Sequence, residues 1–103
     1  MPAQVRAHTP PLQVNLGGRW GTVCDARRTF TAATASMVCS TLGLGLVGRV
    51  RRGVLPGTLP ILMQDVKCAA KAKGLGSCVY SDDTVGCTHA SDVAVFCVGE
   101  LQH

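Results

Sequence analysis

Six widely spaced cysteines constrain this sequence more than any other feature. They are Cys24, Cys39, Cys68, Cys78, Cys87 and Cys97 in a chain of 103 residues, and no two of them form a C-x-x-C pair. A chain of this length has a small core and usually needs additional cross-links. An even number of separated cysteines therefore predicts three disulfides, and with them an oxidising compartment outside the cytosol.

Zinc is the competing explanation for the cysteines. Structural zinc sites bring their ligands in close pairs, two to four residues apart. The nearest two cysteines in this chain, Cys78 and Cys87, are nine positions apart. The spacing therefore favours disulfides over a metal centre.

The composition is that of one folded domain, residues 1–103. Apolar residues make up 47% of the chain and charged residues 16%, which is typical of a globular protein. No apolar run reaches the length of a membrane span, and the N-terminus lacks the features of a signal peptide. We therefore expect one domain of a larger extracellular protein, without membrane insertion by this domain.

Local patterns predict a small number of strands and one helix. Residues 12–16 alternate and should pair with residues 19–23 across Gly17-Gly18, with residues 4–7 as an edge strand. The helix should span about residues 31–42, with Thr31 as its N-cap.

The second half of the chain is less regular. Residues 43–60 predict a long glycine-rich loop with at most one brief strand, and residues 69–80 predict a helical turn. Residues 61–66 predict a further strand. The apolar residues 93–98 predict a central strand that is covered on both faces.

Four segments of the chain resemble the scavenger receptor cysteine-rich domain. They are GRWGTVCD at 18–25, VCSTLG at 38–43, PILMQDVKC at 60–68 and DVAVFC at 92–97. The resemblance runs from about residue 5 to residue 98 and is to the six-cysteine group A of that family. It implies an α+β fold, in which a curved antiparallel sheet cradles one helix, and it gives Trp20 a core-packing role.

The resemblance also implies the disulfide pairs, which spacing alone leaves open among fifteen connectivities. The implied pairs are Cys24–Cys87, Cys39–Cys97 and Cys68–Cys78.

Calcium is the one cofactor that the resemblance raises. Family members often hold calcium with an Asp-Asp pair and a Glu, and these positions correspond here to Gln64, Asp65 and Ser91. Asp65 and the neighbouring Asp92 are the remaining carboxylates. Because calcium prefers several negatively charged oxygen ligands, we expect a weak site at most.

The arginines point to a ligand-binding role. The first 60 residues contain seven arginines and one acidic residue. Arg guanidinium groups suit sulfate, phosphate and carboxylate, and basic clusters bind ligands in scavenger receptors. The residues predicted to bind polyanions are Arg27, Arg28, Arg49, Arg51 and Arg52. A solvated loop whose charges only maintain solubility is the competing interpretation.

Other functions have little support in the sequence. The G-x-G-x-x-G at residues 43–48 follows a helix instead of opening one, so it does not predict a dinucleotide site. His89 and Asp92 could form part of a catalytic triad, but no nucleophile motif accompanies them. Few aromatic residues and no base-reading motif argue against specific nucleic-acid binding.

The sequence therefore predicts a non-enzymatic extracellular module of a secreted or cell-surface protein that binds polyanionic or pathogen-surface ligands. The alternative is a protein–protein interaction module, or an accessory domain of a larger secreted or membrane protein, with or without weak calcium dependence.

Three disulfides make a direct prediction for the unreduced protein. Its intact mass should be lower than the calculated mass by two hydrogens for each bond, and iodoacetamide should modify no cysteine before reduction. Mass spectrometry of the untreated chain measures both. Six alkylated thiols would contradict the extracellular assignment as well as the disulfides.

Overall fold

The computed structural model describes residues 4–7, 10–54 and 58–98. This part of the chain forms seven strands, one α-helix and two short 3₁₀ turns. The elements are β1 Gln4–Arg6, β2 Gln13–Leu16, β3 Arg19–Cys24, α1 Ala32–Thr41, β4 Val47–Arg52, β5 Ile61–Lys67, the turn Leu75–Ser77, β6 Val79–Ser81, the turn His89–Ser91 and β7 Val93–Val98.

The strands form two sheets. One has the order β1-β2-β3-β5-β6, and the other pairs β4 with β7. The predicted α+β architecture with a single helix is confirmed. The single antiparallel sheet was an incomplete description, because β3 and β5 run parallel and β4–β7 form a separate sheet.

The predicted helix and hairpin are both present. Thr31 caps α1 by accepting a hydrogen bond from the Thr34 N–H at 3.2 Å. Gly43 ends the helix with a φ of 71°, which glycine adopts without strain. Strands β2 and β3 pair from Gln13–Thr22 to Leu16–Arg19 around the glycine turn.

The one brief strand predicted within residues 43–60 is β4, but the prediction that the arginines lie on a loop was wrong. Six of these residues form a strand, and Arg49, Arg51 and Arg52 belong to it instead of to a loop. Strand β4 gains its regular form by pairing with β7, from Val47–Val98 to Arg52–Val93. A partner so distant in sequence leaves no trace in the local pattern of glycines and arginines.

Strand β7 also differs from its prediction. Its first three residues are buried, but Phe96 and Val98 are exposed on the outer face of a two-stranded sheet. The strand is therefore not central and not fully covered. A run of apolar residues lacks the alternation that would reveal an open face.

The segment between Cys68 and Cys78 contains the short turn Leu75–Ser77, which agrees with the predicted helical turn. The structure adds β6, which pairs with the end of β5. The core lies between the sheets and the helix, and its largest fully buried side chains include Phe30, Leu12, Met63 and Leu75.

The disulfides have the pairing that the resemblance implies. Cys39–Cys97 joins α1 to β7, and Cys24–Cys87 joins the end of β3 to the segment before the second 3₁₀ turn. Cys68–Cys78 closes the loop after β5. The first two bonds therefore connect segments that backbone pairing in the two sheets does not directly join, whereas Cys68–Cys78 lies next to the paired residues Lys67 and Val79 of β5 and β6.

Gly48 allows the helix to lie directly on β4. A Cβ at this position would lie 2.5 Å from the carbonyl carbon and oxygen of Ala35 in α1. The Gly48 N–H also donates a hydrogen bond to the Ser36 hydroxyl at 2.9 Å. The glycine is therefore required by close packing of the backbone, which fixes the distance between helix and sheet.

We expect Gly48→Ala to lower the free energy of unfolding by about 1–3 kcal/mol, because the added methyl group overpacks the helix–sheet contact. Urea denaturation with intact disulfides measures the effect. Gly74→Ala is the matched control, since its Cβ meets nothing within 4 Å. Equal stability of the two variants would contradict this account of Gly48.

Candidate ligand-binding surface

The outer face of the β4–β7 sheet combines exposed arginines with exposed apolar groups. Arg49 and Arg51 alternate with inward-facing residues along β4, and Arg49 lies opposite Phe96 in the register. We call this surface the basic sheet face. Its residues line a shallow hollow of about 340 Å³; they are Arg49, Arg51, Val54, Phe96 and Val98.

Arg52 does not belong to this surface, although the sequence analysis grouped it with the other arginines. Its Nε and Nη2 atoms lie 2.8 and 2.6 Å from Oδ2 of Asp25, and Nη2 also donates to the Phe30 carbonyl at 2.9 Å. The period of a strand turns this side chain away from the outer face. Arg52 therefore stabilises the fold in this structure, and its guanidinium is already occupied.

Asp25 is a structural residue that the sequence analysis missed. Its side chain is only 1% exposed. Besides Arg52, its carboxylate accepts hydrogen bonds from the backbone N–H groups of Thr29 at 2.8 Å and Phe30 at 3.1 Å. One signal could have found it, because Asp25 is the sole acidic residue in an arginine-rich half of the chain.

Arg27 and Arg28 lie on the exposed turn that follows Asp25. Arg27 places its Nε 3.8 Å from Oδ2 of Asp65, but its side chain is 78% exposed, so this ion pair contributes little. The Asp25–Arg52 pair connects this turn to the end of β4. The two predicted groups of arginines therefore lie on elements that the ion pair between the half-buried Arg52 and the buried Asp25 connects.

The predicted calcium ligands have other partners. Asp92 is 1% exposed; one of its oxygens accepts from the Thr22 hydroxyl at 3.0 Å and the other lies 2.7 Å from Nδ1 of His89. Asp65 faces Arg27, and its buried Oδ1 has no hydrogen-bond partner within the described ranges.

The neighbouring donors do not complete a calcium site. Gln64 donates its side-chain N–H to the Asp83 carbonyl at 2.9 Å. No group of three or more His, Cys, Asp or Glu side chains comes together in the described part of the chain. A guanidinium beside Asp65 and an Asp92 committed to neighbouring side chains do not fit the negatively charged oxygen cage that calcium prefers.

The hydrogen bonds of Asp92 also show what the His89–Asp92 pair does in the structure. The hydroxyl that contacts Asp92 belongs to Thr22, which is fully buried and out of reach of any substrate. The pair instead anchors the second 3₁₀ turn to β3. Its arrangement is that of a buried polar network, which stabilises a fold when its members are satisfied.

Trp20 differs from its predicted core-packing role. It is half-buried, and the guanidinium carbon of Arg6 lies 3.5 Å from the centre of its ring. Phe30 is the aromatic residue that fills the core. Trp20 is therefore a surface-lining aromatic residue with a cation stacked on it.

Comparison with known proteins defines the family. The model of the scavenger receptor cysteine-rich domain matches residues 7–98. This chain belongs to that family. The resemblance in the four sequence segments is thereby confirmed, and domains of this family are non-catalytic modules, typically of larger extracellular proteins.

Curated relatives of this scavenger receptor cysteine-rich domain include lysyl oxidase homologs. The chain is 38% identical over 88 residues to lysyl oxidase homolog 2A of Danio rerio and 36% identical over 89 residues to lysyl oxidase homolog 4 of Mus musculus. Each match covers 84% of this chain but only 12% of the relative. The chain therefore corresponds to a small part of each relative.

Solved structures support the same fold. The third domain of this family in murine neurotrypsin has a TM-score of 0.74 and 30% identity, and the match covers 92% of this chain and 95% of that one. The domain of mouse MARCO, solved in a dimeric form, has a TM-score of 0.69 and 22% identity, covering 92% and 87%. The second likeness concerns the fold alone. Within the described ranges, no helix has the length and apolar character needed to traverse a bilayer.

The structural role of Arg52 can be separated from that of its neighbour on β4. Arg52→Gln leaves Asp25 as a buried charge without its cation, so we expect the free energy of unfolding to fall by about 3 kcal/mol. Arg51→Gln removes the same charge from the exposed face, and we expect a change within about 0.5 kcal/mol. Chemical denaturation of the oxidised proteins compares them, and coincident transitions would contradict the assignment.

Proposed function

We propose that this domain is a non-enzymatic extracellular ligand-binding module of the six-cysteine group A, which captures polyanionic ligands on its basic sheet face. The observation that carries the proposal is the position of Arg49 and Arg51, side by side on the exposed face of one strand. A secreted protein or the ectodomain of a cell-surface protein is the expected setting, because the three disulfides require an oxidising compartment.

The two arginines are well placed to bind a repeating anion. Residues two apart on a strand project from the same face, about 7 Å from each other. In the described part of the chain, no acidic side chain forms an ion pair with either of them. Because β7 and α1 hold the strand in place, the guanidinium groups lose less conformational entropy on binding than they would on a loop.

Arg27 and Arg28 extend the proposed site. They lie on the turn that the Asp25–Arg52 pair ties to the end of β4. A long polyanion that runs past Arg51 would therefore meet further cations near that end of the strand. A short anion would engage Arg49 and Arg51 alone.

A protein ligand is the second candidate, and the apolar part of the basic sheet face favours it. Val54 is 51% exposed, Phe96 is 39% exposed and Val98 is 36% exposed. Large apolar side chains grouped beside arginines are typical of protein interfaces. In this case the domain would act as an interaction or accessory module within a larger protein.

Salt dependence and a matched pair of variants test the proposed function. We expect the oxidised domain to bind heparin and dextran sulfate, with affinity falling steeply between 50 and 500 mM NaCl because exposed charges are screened. Arg49→Ala with Arg51→Ala should raise the dissociation constant about tenfold, since each exposed charge contributes up to about 1 kcal/mol. Surface plasmon resonance on immobilised heparin measures both effects.

The control is Lys67→Ala with Lys71→Ala, which removes the same charge from exposed positions outside the basic sheet face. Net charge alone would weaken the two double variants equally, and that result would overturn the proposal. An affinity that does not change with salt concentration and is lost in Phe96→Ala would favour the protein-ligand candidate instead. An affinity that is unchanged in EDTA would exclude a calcium requirement.

A further inference from the structure

A second hollow lies on a different part of the molecule, between β1, the end of α1 and the first 3₁₀ turn. This turn lies inside the loop that Cys68–Cys78 closes. The volume of the hollow is about 500 Å³, within the range of roughly 300–1,000 Å³ that is common for small-molecule sites. It shares no residue with the basic sheet face. Polyanion binding at the basic sheet face therefore does not involve this hollow.

Five residues that line this hollow are apolar, and Gln4 and Thr41 are its neutral polar side chains. Val38 in α1 and Leu75 in the first 3₁₀ turn are almost fully buried, and both line it. Val5, Leu42 and the half-buried Trp20 add further apolar surface. A ligand that enters the hollow would therefore remove hydrocarbon or aromatic surface from water, which favours binding.

The charged groups at the rim are both cations. Arg6 and Lys73 line the hollow, and in the described part of the chain neither forms an ion pair with an acidic residue. The guanidinium carbon of Arg6 lies over the ring of Trp20, 3.5 Å from its centre. Stacking holds a guanidinium in one orientation and leaves the N–H groups at its edge free to donate.

Two carbonyls near the end of the helix already have hydrogen-bond donors. The carbonyl of Val38 accepts hydrogen bonds from the Leu42 N–H and the Thr41 hydroxyl, and the carbonyl of Cys39 accepts from the Leu44 N–H. These bonds satisfy oxygens that would otherwise present a partial negative charge. An anionic group in the hollow would therefore be repelled less by these two oxygens than by unpaired carbonyls, while the two cations attract it.

We propose that this hollow binds a small carboxylate that carries an apolar body, such as an aryl acetate. The apolar body would lie on Val5, Trp20 and Leu42, which are the partly exposed apolar residues of the lining. The carboxylate would accept hydrogen bonds from Lys73 and from the exposed edge of Arg6.

Naphthalene-2-acetate is a suitable probe, and ¹H–¹⁵N correlation spectra of the oxidised domain report where it binds. Trp20 is the only tryptophan, so its indole N–H gives a single unambiguous signal. We expect saturable shifts of this signal and of the amides of Leu42, Gly74 and Leu75. The neutral analogue 2-naphthaleneethanol and acetate alone should each bind more weakly, because each lacks one half of the recognised chemistry.

Lys73→Gln should raise the dissociation constant of naphthalene-2-acetate about three- to tenfold, as expected for loss of one exposed charged contact. Arg6→Gln should act in the same direction. Lys71→Gln is the matched control, because Lys71 is an exposed lysine two residues away that does not line the hollow. All three positions are exposed, so we expect the substitutions to leave the fold intact. The ¹H–¹⁵N spectra of the variants verify this.

Three results would overturn the proposal. They are an absence of saturable shifts at millimolar probe, equal affinities in the Lys73 and Lys71 variants, and shifts confined to the basic sheet face around Phe96. A fourth result, equal affinities for the acid and the alcohol, would contradict the role of the rim cations. Each outcome is independent of heparin binding by Arg49 and Arg51, so failure here does not bear on the proposed function.

Discussion

The bond between Cys39 and Cys97 holds the inner side of α1 against β7. Among the described strands, β7 pairs with β4 alone, and two-stranded sheets are marginal unless something covers one face. The helix supplies that cover, and Gly48 allows it to approach the backbone of β4 closely. With its inner face covered in this way, the small sheet leaves its outer face open, and this is where Arg49 and Arg51 are displayed.

The buried carboxylate of Asp25 has a comparable effect on the arginines. Asp25 is the one acidic residue in the arginine-rich half of the chain, so it can form a close ion pair with only one guanidinium. In the structure its partner is Arg52. The backbone N–H groups of Thr29 and Phe30 complete its hydrogen bonding and fix the loop between β3 and α1. A set of cations that looks uniform in the sequence thus divides into one structural member and several that remain exposed.

Two surfaces with different chemistry result from this architecture. The basic sheet face is broad, shallow and carried by a strand, which suits an extended or large ligand. The hollow beside Trp20 is larger in volume and has an apolar floor with cations at its rim, which suits a compact amphipathic anion. Both depend on exposed arginines, but only the second uses an aromatic ring to orient one of them.

Much of the fold could be predicted from the sequence because the relevant signals are local or covalent. Thr31 and Gly43 bound the helix through capping chemistry, Gly17-Gly18 reverses the chain between two strands, and the cysteine spacing favours disulfides over a zinc site. The strand character of residues 47–52, the open face of β7 and the inward turn of Arg52 depend on partners more than twenty residues away. Those contacts, and the place of Trp20 at a hollow instead of in the core, were decided by tertiary packing, because burial and ion pairing follow from which distant segments meet.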